Sequence, residues 1–200
     1  MNKIVQYLTY HNGYATMKEL KEAGHHTRNI RKLVDSGIIE KIKPGLYRLN
    51  DNSSADLFTQ SFVDICKSVP KGVICLLSAL DHYNLTTINP AKIHIAIPNQ
   101  SKPPVIEYPP VEFYYFREPM FSLEVKEVQV ENGSFRVYSM EKTLCDIFRY
   151  RNKLGEDIAL EALKSYISLD NADLNKLRYL AVKCRVKNAM LPYLKAMMIV

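Results

Sequence analysis

Two short stretches of this 200-residue chain combine residue types at a spacing that could do chemistry. The first is TRNIRKLVDSG, residues 27–37. At 100° per residue it places Ile30, Leu33 and Val34 on one arc of a helix, and Arg28, Asn29, Arg31, Lys32 and Ser36 on the opposite one. Arginine carries a rigid fork of donors that fits the acceptors of guanine, asparagine pairs with adenine, and lysine meets phosphate as a point charge. Such a face suits hydrogen-bonded recognition of a polyanion rather than bond-making; its bland counterpart is the wet face that any surface helix needs. The second stretch is Glu124-Val125-Lys126 on an expected strand, which looks like the E-x-K half of a metal-dependent nuclease motif. These residue types are common and no upstream Pro-Asp partner accompanies them, so a solvated strand is the preferred reading.

Nothing else in the sequence points to catalysis. There is no G-x-S-x-G, no phosphate-cradling glycine-rich loop and no H-E-x-x-H, and only seven glycines occur in all. Cys66, Cys75, Cys145 and Cys184 are far apart, each within an apolar pattern, which favours buried thiols over disulfides or zinc ligands. His25 and His26 are adjacent and have no third ligand at suitable spacing. No enzyme, cofactor or metal is expected.

The segments around residues 27–37 must position that basic face. Ile4, Val5 and Leu8 recur at helical spacing and stop at His11-Asn12-Gly13. Thr16 and Glu19 form the reciprocal pair of a capping box for a second helix, with Gly24 as its stop, and Thr27 is expected to cap the third. Two short helices joined by a glycine-containing turn make a helix-turn-helix, whose second helix enters the major groove. Ile38 to Asn50 then reads as two β-rich runs about Pro44-Gly45, the wing of a winged helix, with Lys41, Lys43 and Arg48 flanking its tip. The candidate DNA-binding residues are thus Thr27, Arg28, Asn29, Arg31, Lys32, Lys41, Lys43 and Arg48. Asp35, near the end of the same face, must point away or tune specificity. Winged helices also dock proteins, so the exposed basic face, and not the fold, favours DNA.

Charge is distributed consistently with that reading. The net charge is +6, but residues 1–50 hold nine Lys/Arg against four Asp/Glu, residues 51–173 twelve against seventeen, and residues 174–200 six against none. Two basic ends flanking an acidic middle hint at a polyanion partner. No apolar run reaches the ~20 residues of a membrane span, and the start lacks a signal-peptide core, so a cytoplasmic protein with no membrane partner is expected.

Residues 50–56, NDNSSAD, are the expected boundary between a winged helix-turn-helix domain over 1–50 and a second domain over 56–200. Leu57 to Val69 reads as a helix, VICLLSALDHYNLT as a strand turning into a helix, and KIHIAIP as a strand with Ile93, Ile95 and Ile97 on one side. VEFYYF is β-rich, and its aromatics serve a sheet core more economically than base stacking. Asn132-Gly133 joins two β-rich runs as a hairpin, Ser139 caps a helix with Met140, Leu144, Ile147 and Phe148 in one stripe, and further helices are expected over 156–168, 171–184 and 190–198. The fold class is α+β: a winged helix-turn-helix followed by a larger mixed α/β domain with a small sheet and carboxy-terminal helices.

The stretches GYATMKELKEAGHHTRNIRKLVDSGIIEKIKPGLYRL, VICLLSALDHYNL and FRVYSMEKTLCDIF together resemble the AbiEi antitoxins of type IV toxin-antitoxin systems, known from abortive infection against phage. The resemblance implies a winged-helix transcriptional autoregulator that represses its operon by binding double-stranded DNA at promoter repeats. It also implies a second domain with antitoxin activity against an AbiEii-like nucleotidyltransferase, without implying direct contact between the two. Asp146 matches a position in the third stretch, with a structural role in capping or bridging elements as its alternative. The basic tract 174–200 aligns with no family segment and could contact phosphate, pack on the acidic middle or face the toxin. A winged-helix regulator with an effector-binding second domain and a metal-dependent nuclease are the alternatives.

Overall fold

The computed structural model describes residues 2–50, 57–106, 108–131 and 133–197. The boundary expected over 50–56 therefore lies, from residue 51 on, outside the described residues. The chain forms two compact units, Met1–Pro70 with Pro103–Pro110 and Gln129–Phe135, and Lys71–Lys102 with Val111–Val128 and Arg136–Val200.

The first unit begins with α1 (Lys3–Tyr10), β1 (Tyr14–Thr16), α2 (Met17–Glu22) and α3 (Thr27–Asp35), followed by β2 (Ile39–Lys43), β3 (Leu46–Leu49) and α4 (Leu57–Ser68). The stop and start signals act as their chemistry dictates. Thr16 Oγ1 accepts from the Glu19 amide at 3.2 Å, and the Glu19 carboxylate accepts from the Thr16 amide at 2.6 Å, closing the capping box. The Thr16 amide, together with the Thr16 hydroxyl, which donates to the same carboxylate at 2.8 Å, holds the Glu19 carboxyl below its usual range. Gly45, at φ +82°, turns the wing as only a residue without Cβ does cheaply. The cap of α3 is His26 and not Thr27, because the His26 carbonyl already accepts from the Ile30 amide at 3.3 Å, which puts Thr27 inside the first turn.

β1 was not legible in advance, since three residues are too few to show alternation. It adds to the wing hairpin in the antiparallel order β1-β3-β2, with Tyr14 opposite Arg48 and Arg48 opposite Glu40. Alternation along β3 sends Tyr47 to one face, into a core with Ile4, Leu8, Ala15, Leu20, Ile30, Leu33 and Ile39. Arg48 goes to the other face, where α4 lies.

The second unit carries β4 (Val73–Ile74), α5 (Leu76–His82), β5 (Ile93–Pro98), β6 (Val111–Phe116), α6 (Met140–Leu154), α7 (Glu156–Ile167), α8 (Leu174–Lys183) and α9 (Lys187–Met197). With β7 (Val125–Val130) and β8 (Gly133–Tyr138) its strands form a sheet in the order β6-β5-β4-β8-β7. β4 runs antiparallel to β5 and parallel to β8, and β5 runs parallel to β6. Asn132 of the expected hairpin is outside the described residues. β5 is buried along both faces, His94 and Ala96 as well as its isoleucines, so its alternation marks a strand covered on both sides. Mixed helix and sheet, with a small amino-terminal sheet and a larger sheet followed by carboxy-terminal helices, is the α+β architecture expected.

Ser139 caps α6 through the Lys142 amide, and Glu141 to Phe148 are all buried, because α5, α7 and α8 pack around this helix. Lys142 and Asp146, one turn apart and both without solvent exposure, form an ion pair inside it. The Lys142 ammonium also lies 4.4 Å from the centre of the Tyr138 ring and 5.0 Å from that of Phe116. Burial pushes the Asp146 carboxyl up and Lys142 pulls it back, while the ring contacts of Lys142 tie the pair to the sheet.

Candidate nucleic-acid interface

Ile30 and Leu33 anchor α3 in the core of the first unit, and rotation about the helix therefore exposes Arg28, Asn29, Arg31 and Lys32. None of these three cations forms an ion pair among the described residues. Asp35 is exposed at the far end of the helix. The amino terminus of α3 receives no side-chain cap and no acidic residue in its first turn, while Arg28 sits there against the helix dipole. That combination is unfavourable in isolation, and an anion brought to the terminus offsets it. Lys32 and Asn29 also line a 600 Å³ surface hollow with Lys3 and His25. Lys3 was missed in the sequence because α1 reads only as support.

The wing residues divide. Lys41 is exposed. Lys43 Nζ donates to the Ser68 carbonyl at 2.8 Å, which ties the wing to the end of α4. Arg48 is turned inward: its guanidinium donates to the carboxylates of Glu40, across the strand pair, and Asp64, on α4. The Asp64 carboxylate also accepts from the Tyr14 hydroxyl at 2.6 Å. Burial pushes the Asp64 carboxyl up, and Tyr14, Arg48 and Gln60 pull it back. Burial opposes the charge on Arg48, and Asp64 and Glu40 outweigh it. Arg48, expected to flank the wing tip as a DNA contact, is engaged within the fold for a reason of parity: its face of β3 is covered by α4. The signal for this network was Asp64 itself, a carboxylate inside the apolar pattern of FVDIC.

Over residues 3–50, α1 through β3, the chain matches the family of AbiEi antitoxin transcriptional regulators. No curated protein matches it. The AbiEi match thus covers the helix-turn-helix and the wing, the first of the three resembling stretches. Asp64 and the other two stretches lie beyond it.

The other candidates are placed apart from α3. Glu124 precedes β7 with a left-handed backbone, φ +60°, and its carboxylate meets Lys176 at 2.7 Å, while Lys126 is exposed on the strand. Lys176 meets Glu141 as well, at 3.1 Å, so this residue of the basic tract packs on acidic neighbours. Among the described residues no group of three His, Cys, Asp or Glu could hold a metal, and no helix is long and apolar enough to cross a membrane.

Proposed function

We propose that the protein is a cytoplasmic, non-enzymatic antitoxin of a type IV system that represses its own operon by binding promoter DNA through α3 and the wing. The observation that supports this best is the exposed face of α3, where Arg28, Asn29, Arg31 and Lys32 are held outward by buried Ile30 and Leu33 and are free of acidic partners among the described residues. Arg28, Asn29 and Arg31 read base edges, Lys32 and Lys3 meet phosphate beside them, Thr27 offers the amide end of the helix, and Lys41 follows the backbone from the wing. Lys43 and Arg48 hold the wing in place. The antitoxin half of the reading rests on the AbiEi match and is directed against an adjacent nucleotidyltransferase.

The test is anisotropy binding to the duplex upstream of the gene and to a scrambled duplex, over a salt series, for wild type and Arg28→Ala/Arg31→Ala. Tight binding to the native duplex that the double variant loses, with the salt slope reduced by about 0.9 for each phosphate contact removed, is the expected outcome. Equal, weak binding to both duplexes overturns it. The antitoxin role is tested by co-expression with the neighbouring toxin gene, and absence of growth rescue removes that half.

A further inference from the structure

A cleft of about 1030 Å³ opens in the second unit where the end of β6 and the turn after it face the last turns of α6 and the junction of α8 with α9. Five Lys/Arg and one carboxylate, Glu118, line it. Glu118 is engaged by Ser122, whose hydroxyl donates to it at 2.7 Å. Arg149 donates to the Cys184 carbonyl, and Arg151 to the Phe148 carbonyl at 2.6 Å, so those two build the walls. Arg117, Lys183 and Arg185 remain, all exposed and none ion-paired among the described residues.

The dipole of α8 accounts for a cation near its carboxy terminus, but not for Arg117, which arrives from the sheet side. The backbone at Arg185, φ +57° just after the Cys184 cap, closes α8 as a Schellman turn, with the Val186 amide donating to the Ala181 carbonyl at 2.9 Å and the Arg185 amide to the Val182 carbonyl at 3.0 Å. Glycine or asparagine takes that position at lower cost, so Arg185 can be exchanged for glycine without loss of the turn. One wall is aromatic. Tyr115, on the edge strand β6, is 46% exposed, and Tyr150 is stacked on Phe116 with ring planes 11° apart. Flat π surfaces beside unpaired arginines are what a nucleobase and its phosphates require together, and the volume suits a mononucleotide.

We infer that this cleft binds a nucleoside polyphosphate, with the phosphates on Arg117, Lys183 and Arg185 and the base against Tyr115. The inference stands apart from DNA binding by α3.

Calorimetric titration of the full chain with ATP, GTP, adenosine, tripolyphosphate and a short single-stranded RNA tests it. The expected result is a nucleoside triphosphate binding at least tenfold more tightly than adenosine or tripolyphosphate. Arg185→Gly weakens that binding at least tenfold without lowering Tm, because glycine relieves the backbone. Tyr115→Leu removes the preference over tripolyphosphate, and Arg28→Ala/Arg31→Ala leaves nucleotide binding unchanged. No binding of either nucleotide, binding indifferent to Arg185→Gly, or RNA binding at this cleft without free nucleotide binding overturns it.

Discussion

Replacing Arg48 by alanine separates the two roles that a wing arginine can have. In this structure the guanidinium bridges Glu40 and Asp64, with the side chain 20% exposed and that of Asp64 6% exposed. Breaking a buried pair from one side costs about 3–5 kcal/mol when the remaining charge has no other support. Asp64 keeps the bond from Tyr14, and Arg48 is partly solvated, so the expected loss is about 2–3 kcal/mol of stability by denaturant titration. The pH dependence carries the sign. Burial already raises the Asp64 carboxyl, and loss of Arg48 raises it further. The folded variant then holds a proton on Asp64 that the unfolded chain has released. The deficit relative to wild type therefore shrinks as pH falls below neutrality. Arg31→Ala, exposed and unpaired, leaves stability within about 0.5 kcal/mol and lowers affinity for the promoter duplex instead. Should Arg48→Ala keep full stability and lose DNA affinity together with salt dependence, the inward assignment is refuted and Arg48 is a phosphate contact.

Two further outcomes concern the second unit. Lys142→Met leaves the Asp146 carboxylate unexposed and unpaired, which costs about 3–5 kcal/mol at neutral pH, and the loss is recovered in part on acidification or in Lys142→Met/Asp146→Leu; a double variant no more stable than the single one would refute this pairing account. His94 is held down to about 4 by burial, which outweighs Glu112 at 4.0 Å. The unfolded chain protonates first, so stability falls as pH drops from about 6.5 towards 4, by at most about 3 kcal/mol, and His94→Gln flattens that slope in a pH series of unfolding curves.

The difference between Arg31 and Arg48 shows what a sequence makes legible here. Capping and turning are local: Thr16 with Glu19, Gly24, and Pro44-Gly45 act within four residues of where they stand, and all were readable. The burial of α3 was readable too, because a helix of nine residues gives its apolar arc enough turns to declare itself. Parity alone places Arg48 on the face of β3 opposite Tyr47, but says nothing about which face is open. That depends on α4, whose Asp64 lies sixteen residues further on and reads locally as one polar residue in an apolar helix. β1 is hidden for the opposite reason, being too short for any period.

The cleft is the extreme of this dependence on distant partners. Tyr115, Arg117 and Arg185 are separated by up to seventy residues, and each has an innocuous local explanation as an edge aromatic, a turn arginine or a helix-end cation. Only the fold shows that they converge, that Glu118 among them is engaged by Ser122, and that Arg185 occupies a backbone conformation its own type disfavours. Local signals explain residues whose partners are near in sequence. A charge without an acidic partner, brought beside an aromatic wall, is left over when those explanations have been used, and such a remainder is where a ligand is to be sought.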